Sequence, residues 1–210
     1  MKLFIASVLY LVAVTSAQNP NKCSLRSADI PRDFLDMSIG CKKEVRRQIQ
    51  EEINASMQYL AMGAHFSQST INLPGFAEFF FKAAAEEREH ATKLIEYLLM
   101  RGQLTDDVST LIEVKSPPTV SWERGLDALK QALRTEAKVT KSIKQVIASC
   151  ENDSHDHTND YHLVDFLTGD FLQEQYSGQR DLAGKISTLE GLVRQQGSFG
   201  EFLFDKTILG

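Results

Sequence analysis

The chain has 210 residues, with 23 Lys and Arg against 28 Asp and Glu, and a formal net charge of −5. A mildly acidic chain without a basic run is a poor match for nucleic acid, so we expect no nucleic-acid partner. Its three cysteines include no Cys-x-x-Cys pair, which argues against a thiolate zinc site.

Residues 1–17 have the pattern of a secretory signal peptide: Lys2, an apolar run from Leu3 to Val14, and small residues ending at Ala17. The apolar run is shorter than the roughly 20 residues that span a membrane, so we favour a signal peptide over a membrane anchor. Cleavage would remove one charge and change the net charge from −5 to −6. We therefore expect a secreted or lumenal protein without a membrane partner. In that oxidising compartment two cysteines can pair, and the third is left over.

Residues 18–37 contain two prolines and have mixed polarity, which predicts an extended N-terminal segment that leaves Cys23 reachable. From about residue 38 to residue 68, apolar residues recur with steps of three and four. This period predicts an amphipathic helix. Glu52 and Tyr59 lie two turns apart on its inward face.

The second predicted helix covers about residues 72–101 and contains Glu-Glu-Arg-Glu-His at 86–90. Glu87 and His90 fall on its apolar face, one turn apart. A buried carboxylate and a buried imidazole cost free energy unless something pairs with them. Glu-x-x-His on a helix places both groups on one face, which is how carboxylate bundles supply part of a metal site.

After residue 101 come about 20 residues without a sustained helical period, including the prolines at 117 and 118. In four-helix bundles such a stretch is a long crossover that carries the chain along the helices. We therefore expect the third helix, about residues 122–150, to run parallel to the second. One carboxylate, Glu136, interrupts the middle of its inward face.

A polar loop of about residues 151–160 follows, and its sequon at Asn152 is a candidate glycan site. The fourth helix is predicted from about residue 161 to residue 193. Gln175 falls on its inward face, and we interpret the adjacent Glu174 as a solvent-facing or network residue.

The last amphipathic piece, residues 199–209, is too apolar for a free tail and predicts a subunit contact. The sequence thus indicates an all-α protein. A four-helix bundle over residues 38–194 contains one long crossover, and a short C-terminal helix lies within residues 195–210.

Metal-capable side chains fall near the midpoint of every bundle helix: Glu52, Glu87, His90, Glu136 and Gln175. Midpoints meet at one level whichever way each helix runs. A buried polar network that fixes helix register would also place polar groups there. Three carboxylates in one dry layer would repel one another and hold protons unless a cation neutralised them, so we favour a metal site.

This ligand set is rich in oxygen, with one imidazole and no thiolate, and suits iron, manganese or zinc rather than copper(I). Glu52 and His90 would hold one ion, Glu136 a second, and Glu87 would bridge the two. The fourth helix lacks a second Glu-x-x-His, because Gly178 stands where the histidine would fall. We therefore expect the second ion to bind more weakly.

Five motifs occur in order: Gln-Ile-x-x-Glu-x-x-Ala-Ser at 48–56, Tyr-Leu at 59–60, Glu-Glu-Arg-Glu-His at 86–90, Glu-Gln at 174–175 and Leu-Phe-Asp-Lys at 203–206. Together they resemble eukaryotic ferritin over about residues 38–210. The signal peptide and the cysteines make the chain similar to the secreted, insect-type ferritins.

The resemblance implies a heavy-type subunit, the type that oxidises iron. Its site residues would be Glu52, Tyr59, Glu87, His90, Glu136 and Gln175. It further implies ferroxidase activity, in which dioxygen oxidises ferrous iron at a di-iron site. The product would be stored as mineral in a hollow shell of 24 subunits, with the last helix lining the four-fold axis.

Some positions depart from the family pattern. Asp165 matches a carboxylate of the channel on the three-fold axis that admits iron, but Thr168 stands where a second acid is often found. Glu86 and Glu89 match acidic positions that nucleate mineral, while Thr92 replaces another acid. We therefore predict a channel carboxylate at Asp165 and none at residue 168, and we expect modest nucleation of mineral.

In the bundle that the resemblance implies, the start of the first helix and the end of the third lie at the same end. We therefore predict an intrachain disulfide between Cys41 and Cys150. Cys23 would then be free to bond a neighbouring subunit, and a light-type chain is a candidate for that neighbour.

Two other functions compete with an iron-oxidising subunit. A non-catalytic light-type shell or carrier subunit would be expected to lose Glu52, His90 or Glu136, which this chain keeps. A secreted helical signalling bundle would have an apolar core and two long crossovers, whereas this chain shows one.

Overall fold

A computed structural model describes residues 29–103, 110–151 and 159–209. The predicted signal peptide, Cys23 and Asn152 lie outside these residues. The chain divides into Met1–Arg32 and Asp33–Gly210. Of the first unit only residues 29–32 are described, and they form neither helix nor strand. The helices and the predicted site residues all belong to the second unit.

The described part of this unit is all-helical, which confirms the predicted fold class. Its helices are α1 (Ile39–Phe66), α2 (Pro74–Met100), α3 (Gly125–Glu151), α4 (Tyr161–Phe166), α5 (Leu172–Gln196) and α6 (Ser198–Ile208). A π-helical turn, Leu167–Phe171, joins α4 to α5, so these three segments form the fourth helix of the bundle. Within the described residues no helix is both long and apolar enough to cross a membrane.

The ends of the first two helices follow from local sequence. Ser38 caps α1 by accepting a hydrogen bond from the Cys41 N–H at 3.2 Å. Pro74 occupies the first position of α2, where a backbone N–H has no helical partner and the fixed φ of proline suits the helix. The tight loop between them places Asn72 at φ 51°, a left-handed conformation that asparagine tolerates.

The described part of the crossover between α2 and α3, residues 110–124, runs alongside α1 in the same direction. Three side chains of α1 contact its backbone in order: Gln50 at Glu113, Gln58 at Thr119 and His65 at Trp122. The crossover therefore returns the chain to the end where α2 began, and α3 runs parallel to α2 as predicted. Trp122 lies in this crossover rather than in the third helix, which begins at Gly125.

Among the described residues, two apolar clusters form the core, one towards each end of the bundle. The first surrounds a disulfide between Cys41 and Cys150, the predicted pair, with Cα atoms 4.7 Å apart. The second is rich in aromatic side chains, including Phe66, Phe76 and Phe80. The midpoints of the bundle helices lie between these two clusters.

Helix α6 packs on the second cluster and caps two other helices. Asp205, fully buried, accepts a hydrogen bond from the Phe76 N–H at 3.0 Å, in the first turn of α2. Glu201 accepts one from the Gly125 N–H at the start of α3. Carboxylates are stabilising at these helix N-termini. Gly75 permits the close approach, since a Cβ there would lie 1.9 Å from the Asp205 carbonyl oxygen.

Candidate metal centre

A polar layer separates the two apolar clusters at mid-height in the bundle. The side chains predicted for the site are all buried in it: Glu52, Tyr59, Glu87, His90, Glu136 and Gln175. They come from α1, α2, α3 and α5, so each long helix of the bundle contributes. The helical period places them there, because each occupies a position where the inward face would otherwise be apolar.

We call Glu52, Glu87 and His90 the open half of this layer. One potential ligand atom from each of the three lies within 4.8 Å of the other two. Glu52 Oε2, Glu87 Oε2 and His90 Nδ1 are buried and have no hydrogen-bond partner in the described part of the chain. Glu87 Oε2 lies 3.6 Å from His90 Nδ1, too far for a hydrogen bond. Glu52 and Glu87 lie close enough for their carboxyl groups to hydrogen-bond when one of them is protonated, so a bound cation would take the place of that proton.

We call Tyr59, Glu136 and Gln175 the bonded half. Both oxygens of Glu136 accept hydrogen bonds, Oε1 from the Tyr59 hydroxyl and Oε2 from Gln175 Nε2 at 3.0 Å. The Gln175 amide oxygen in turn accepts from Thr140 Oγ1 at 2.7 Å. Gln179 Nε2 donates to the same Thr140 oxygen at 2.6 Å. The bonded half is therefore a connected network, whose polar groups hold one another in place.

Burial and like charge govern protonation in the layer. Burial raises the pKa of Glu52 well above its usual value, and the nearby Glu87 carboxylate raises it further. Burial also raises the pKa of Glu87, with Glu136 adding to the effect. Carboxyl groups in the open half therefore hold protons until a cation replaces them. Burial beside Glu136 raises the pKa of Tyr59, which keeps its hydroxyl a donor.

A metal site explains the open half better than a structural hydrogen-bond network does. A network that fixes helix register would satisfy its own buried atoms, as the bonded half does. In the open half one potential ligand atom of each residue lies within 4.8 Å of the others, and one buried atom of each residue accepts or donates no hydrogen bond in the described part of the chain. Such oxygen-rich donors with one imidazole suit iron, manganese or zinc.

Three contacts of the layer are not among those predicted from the sequence. Gln48, fully buried, donates from Nε2 to Glu52 Oε1 at 2.8 Å. Thr140 links the two glutamines of the fourth helix. Glu174 Oε2 lies 3.3 Å from His90 Nε2, at the edge of the layer. Gln48 and Thr140 each stand four residues from a predicted site residue, the spacing that places side chains on one helix face.

A cavity of about 480 Å³ opens from the layer towards α6. Glu86 lines it, with its side chain half-exposed. Glu89, the other predicted nucleation residue, is exposed on α2 and lies 3.3 Å from Lys93. Gly178 also lines the cavity, and a Cβ there would meet nothing within 4 Å.

The structure places the predicted channel residue apart from this cavity. Asp165 is exposed on α4, and Thr168 is exposed in the π-helical turn. The Thr168 hydroxyl donates to the Val164 carbonyl at 2.7 Å, which satisfies it within its own helix. A channel role for either residue depends on neighbouring subunits and stays a prediction.

Comparison with known proteins gives one consistent result. A family profile described as a ferritin-like domain matches residues 42–192. The ferritin heavy chain of Papilio xuthus is 55% identical over 210 residues, covering 100% of this chain and 99% of that relative. The ferritin heavy chain of Drosophila melanogaster is 57% identical over 204 residues, covering 97% of this chain and 98% of that relative. The crystal structure of a secreted ferritin from Trichoplusia ni matches with a TM-score of 0.86 and 59% identity, covering 90% of this chain and 98% of that chain. The chain therefore belongs to the ferritin family.

Proposed function

We propose that the protein is a secreted iron-storage subunit of the heavy type. It oxidises ferrous iron with dioxygen at the polar layer, and the product is stored as mineral inside a shell of many subunits. One observation carries this proposal: Glu52, Glu87 and His90 are all buried, and each brings a potential ligand atom within 4.8 Å of the other two. The similarity to named ferritin heavy chains supports it.

Iron is the substrate of this site. Two ferrous ions give up one electron each, and one dioxygen takes both electrons together with two protons to form hydrogen peroxide. The carboxylates of Glu52 and Glu87 attract a ferric ion more strongly than a ferrous ion, because Coulomb attraction grows with the charge of the cation. Burial strengthens the preference, since a low dielectric screens the charges less. The open half thereby favours the oxidised product.

A second iron would bind between Glu87 and Glu136. Glu87 is shared, because its carboxylate lies close enough to Glu136 for the two to interact electrostatically. Binding here must compete with the hydrogen bonds from Tyr59 and Gln175. The fourth helix adds no further ligand at Gly178. We therefore expect the second iron to bind more weakly and to leave first.

Release would follow the cavity beside the layer. Its wall includes Glu86, a carboxylate beyond the site that can receive the cation. Glu86 and Glu89 are the proposed nucleation residues, and Asp165 is the proposed channel residue.

A light-type subunit is the alternative function, and the layer argues against it. A light-type chain would lack at least one of the metal ligands. This chain has Glu52, Glu87, His90 and Glu136, and all four are buried. The similarity to heavy chains argues in the same direction.

Assembly into a shell, with 24 subunits as the family implies, accounts for the exposed surface of α6. Phe199, Phe202 and Leu203 are exposed there, and Phe199 is 57% accessible. Exposed apolar clusters of this kind mark subunit contacts. A light-type chain is the proposed partner, with Cys23 as the residue that would link the two.

The decisive experiment measures ferrous iron oxidation by the purified assembly, followed by absorbance of the ferric product. We expect fast oxidation by the wild type and its loss in the Glu87→Ala, His90→Ala double variant with the shell still assembled. Glu78→Ala removes a carboxylate from the wall of the same cavity, away from the layer, and serves as the control. Equal rates in the wild type and the double variant would identify the layer as structural and the chain as a light-type partner.

A further inference from the structure

The two ring nitrogens of His90 face different carboxylates. Nδ1 is buried, points into the open half and lies 3.6 Å from Glu87 Oε2. Nε2 lies on the other side of the ring, 3.3 Å from Glu174 Oε2. The imidazole thus stands between the metal-binding space and a carboxylate that does not belong to it.

The fourth helix holds this imidazole from across the bundle. Phe171, at the end of the π-helical turn, packs against the His90 ring with centroids 5.6 Å apart. Glu174 follows three residues later, so the two side chains share a helix face. Phe171 contacts the ring of His90, while Glu174 contacts its outer nitrogen.

Glu174 is not committed to another partner. In the described part of the chain it forms no further ion pair or hydrogen bond, and its side chain is 55% accessible. Its approach to His90 Nε2 is therefore not imposed by another polar partner.

Imidazole chemistry gives this contact a consequence. A neutral imidazole carries one N–H, and the hydrogen bond made by one nitrogen determines which nitrogen can bind a metal. A carboxylate at the outer nitrogen also fixes the orientation of the ring. With the proton on Nε2, Nδ1 offers its electron pair to the space shared with Glu52 and Glu87.

We propose that Glu174 is a positioning residue for the metal centre, which holds the N–H of His90 on Nε2 and keeps Nδ1 as the ligand atom. This inference rests on the proposed function, because it assigns a role within the same site. Groups behind a metal ligand typically contribute about 10–100-fold to metal affinity.

The test compares binding of Zn²⁺ and Co²⁺ to the assembled, metal-free wild type and two variants. Glu174→Ala removes the acceptor, and we expect affinity for the first Zn²⁺ to fall by about 10-fold or more in calorimetry. The visible spectrum of the first bound Co²⁺ should change as well. Glu174→Gln keeps an oxygen that accepts the N–H and should recover most of the affinity. Glu78→Ala, on the same cavity, should bind both ions as the wild type does.

The outcomes separate this inference from the proposed function. Wild-type Zn²⁺ affinity and an unchanged Co²⁺ spectrum in Glu174→Ala would overturn the positioning role, even if iron oxidation slowed, because a positioning residue acts on equilibrium affinity. Failure of the wild type to bind either ion would overturn the proposed function together with the inference. Size-exclusion chromatography of each variant verifies that the shell is intact.

Discussion

The open and bonded halves of the polar layer are equally buried and differ in what their atoms contact. Glu136 has a donor on each oxygen, while Glu52 and Glu87 each keep one buried oxygen without a donor in the described part of the chain. The same residue type at the same depth is therefore held by hydrogen-bond donors in one half, where a metal ion must displace them, and open to a metal ion in the other. Burial and composition alone do not distinguish the two halves, whereas the hydrogen bonds do.

The largest expected effect is on metal affinity, and it is measured with one substitution in each half. Glu52→Ala should weaken binding of the first Zn²⁺ by about 100-fold or more, because it deletes a ligand and not merely a group behind one. Glu136→Ala should leave the first ion almost unaffected and remove the second. Calorimetric stoichiometry and affinity measure both, and loss of both ions in Glu136→Ala would show that the halves form one indivisible site.

The next effect is the pH dependence of metal binding by the open half. In the metal-free protein burial raises the pKa of Glu52 and Glu87, so a cation must displace protons to bind. Affinity should therefore rise with pH, by up to about tenfold per pH unit for each proton displaced. Zinc calorimetry in two buffers of different ionisation enthalpy counts the protons released, and a count of zero would contradict the raised pKa values.

Much of this layer is predictable because helical periodicity fixes which side of a helix faces the core. Glu52, Glu87 and Glu136 each interrupt an apolar face in mid-helix, and that pattern is visible without a structure. Sequence cannot show which oxygens are satisfied, because the donors to Glu136 come from other helices. The two halves therefore look alike in the sequence.

The fourth helix shows a second limit. The π-helical turn Leu167–Phe171 inserts one residue, which rotates everything after it by about 100° relative to a regular helix. The turn contains no proline, so the sequence carries no helix-breaking residue that would indicate it. The contact of Glu174 with His90 lies beyond this turn, and the sequence pattern alone therefore indicates only a solvent-facing or network residue. Capping of α2 by Asp205 is equally hidden, since Asp205 and Phe76 are 129 residues apart.

A smaller effect is expected from Tyr59→Phe, which removes one donor from the bonded half. Glu136 Oε1 would then be buried without its tyrosine donor, at a cost of about 1–3 kcal/mol in the metal-free protein. Affinity for the first Zn²⁺ should stay within about threefold of wild type, because no ligand of the open half changes. Calorimetric melting of the metal-free assembly measures the cost. Tyr161→Phe, at an exposed tyrosine, is the matched control.

The smallest effect should come from the outer end of the bonded half. Thr140→Val removes the hydroxyl that donates to Gln175 and accepts from Gln179, while the side chain keeps its branched shape. Each lost hydrogen bond is worth about 0.5–1.5 kcal/mol. Because Gln175 would then hold Glu136 less rigidly, we expect a change of a few-fold in affinity for the second ion and none for the first. An equal change in affinity for the first and second ions would mean that the bonded half also holds Glu52 and His90 in place. The two halves would then not be independent.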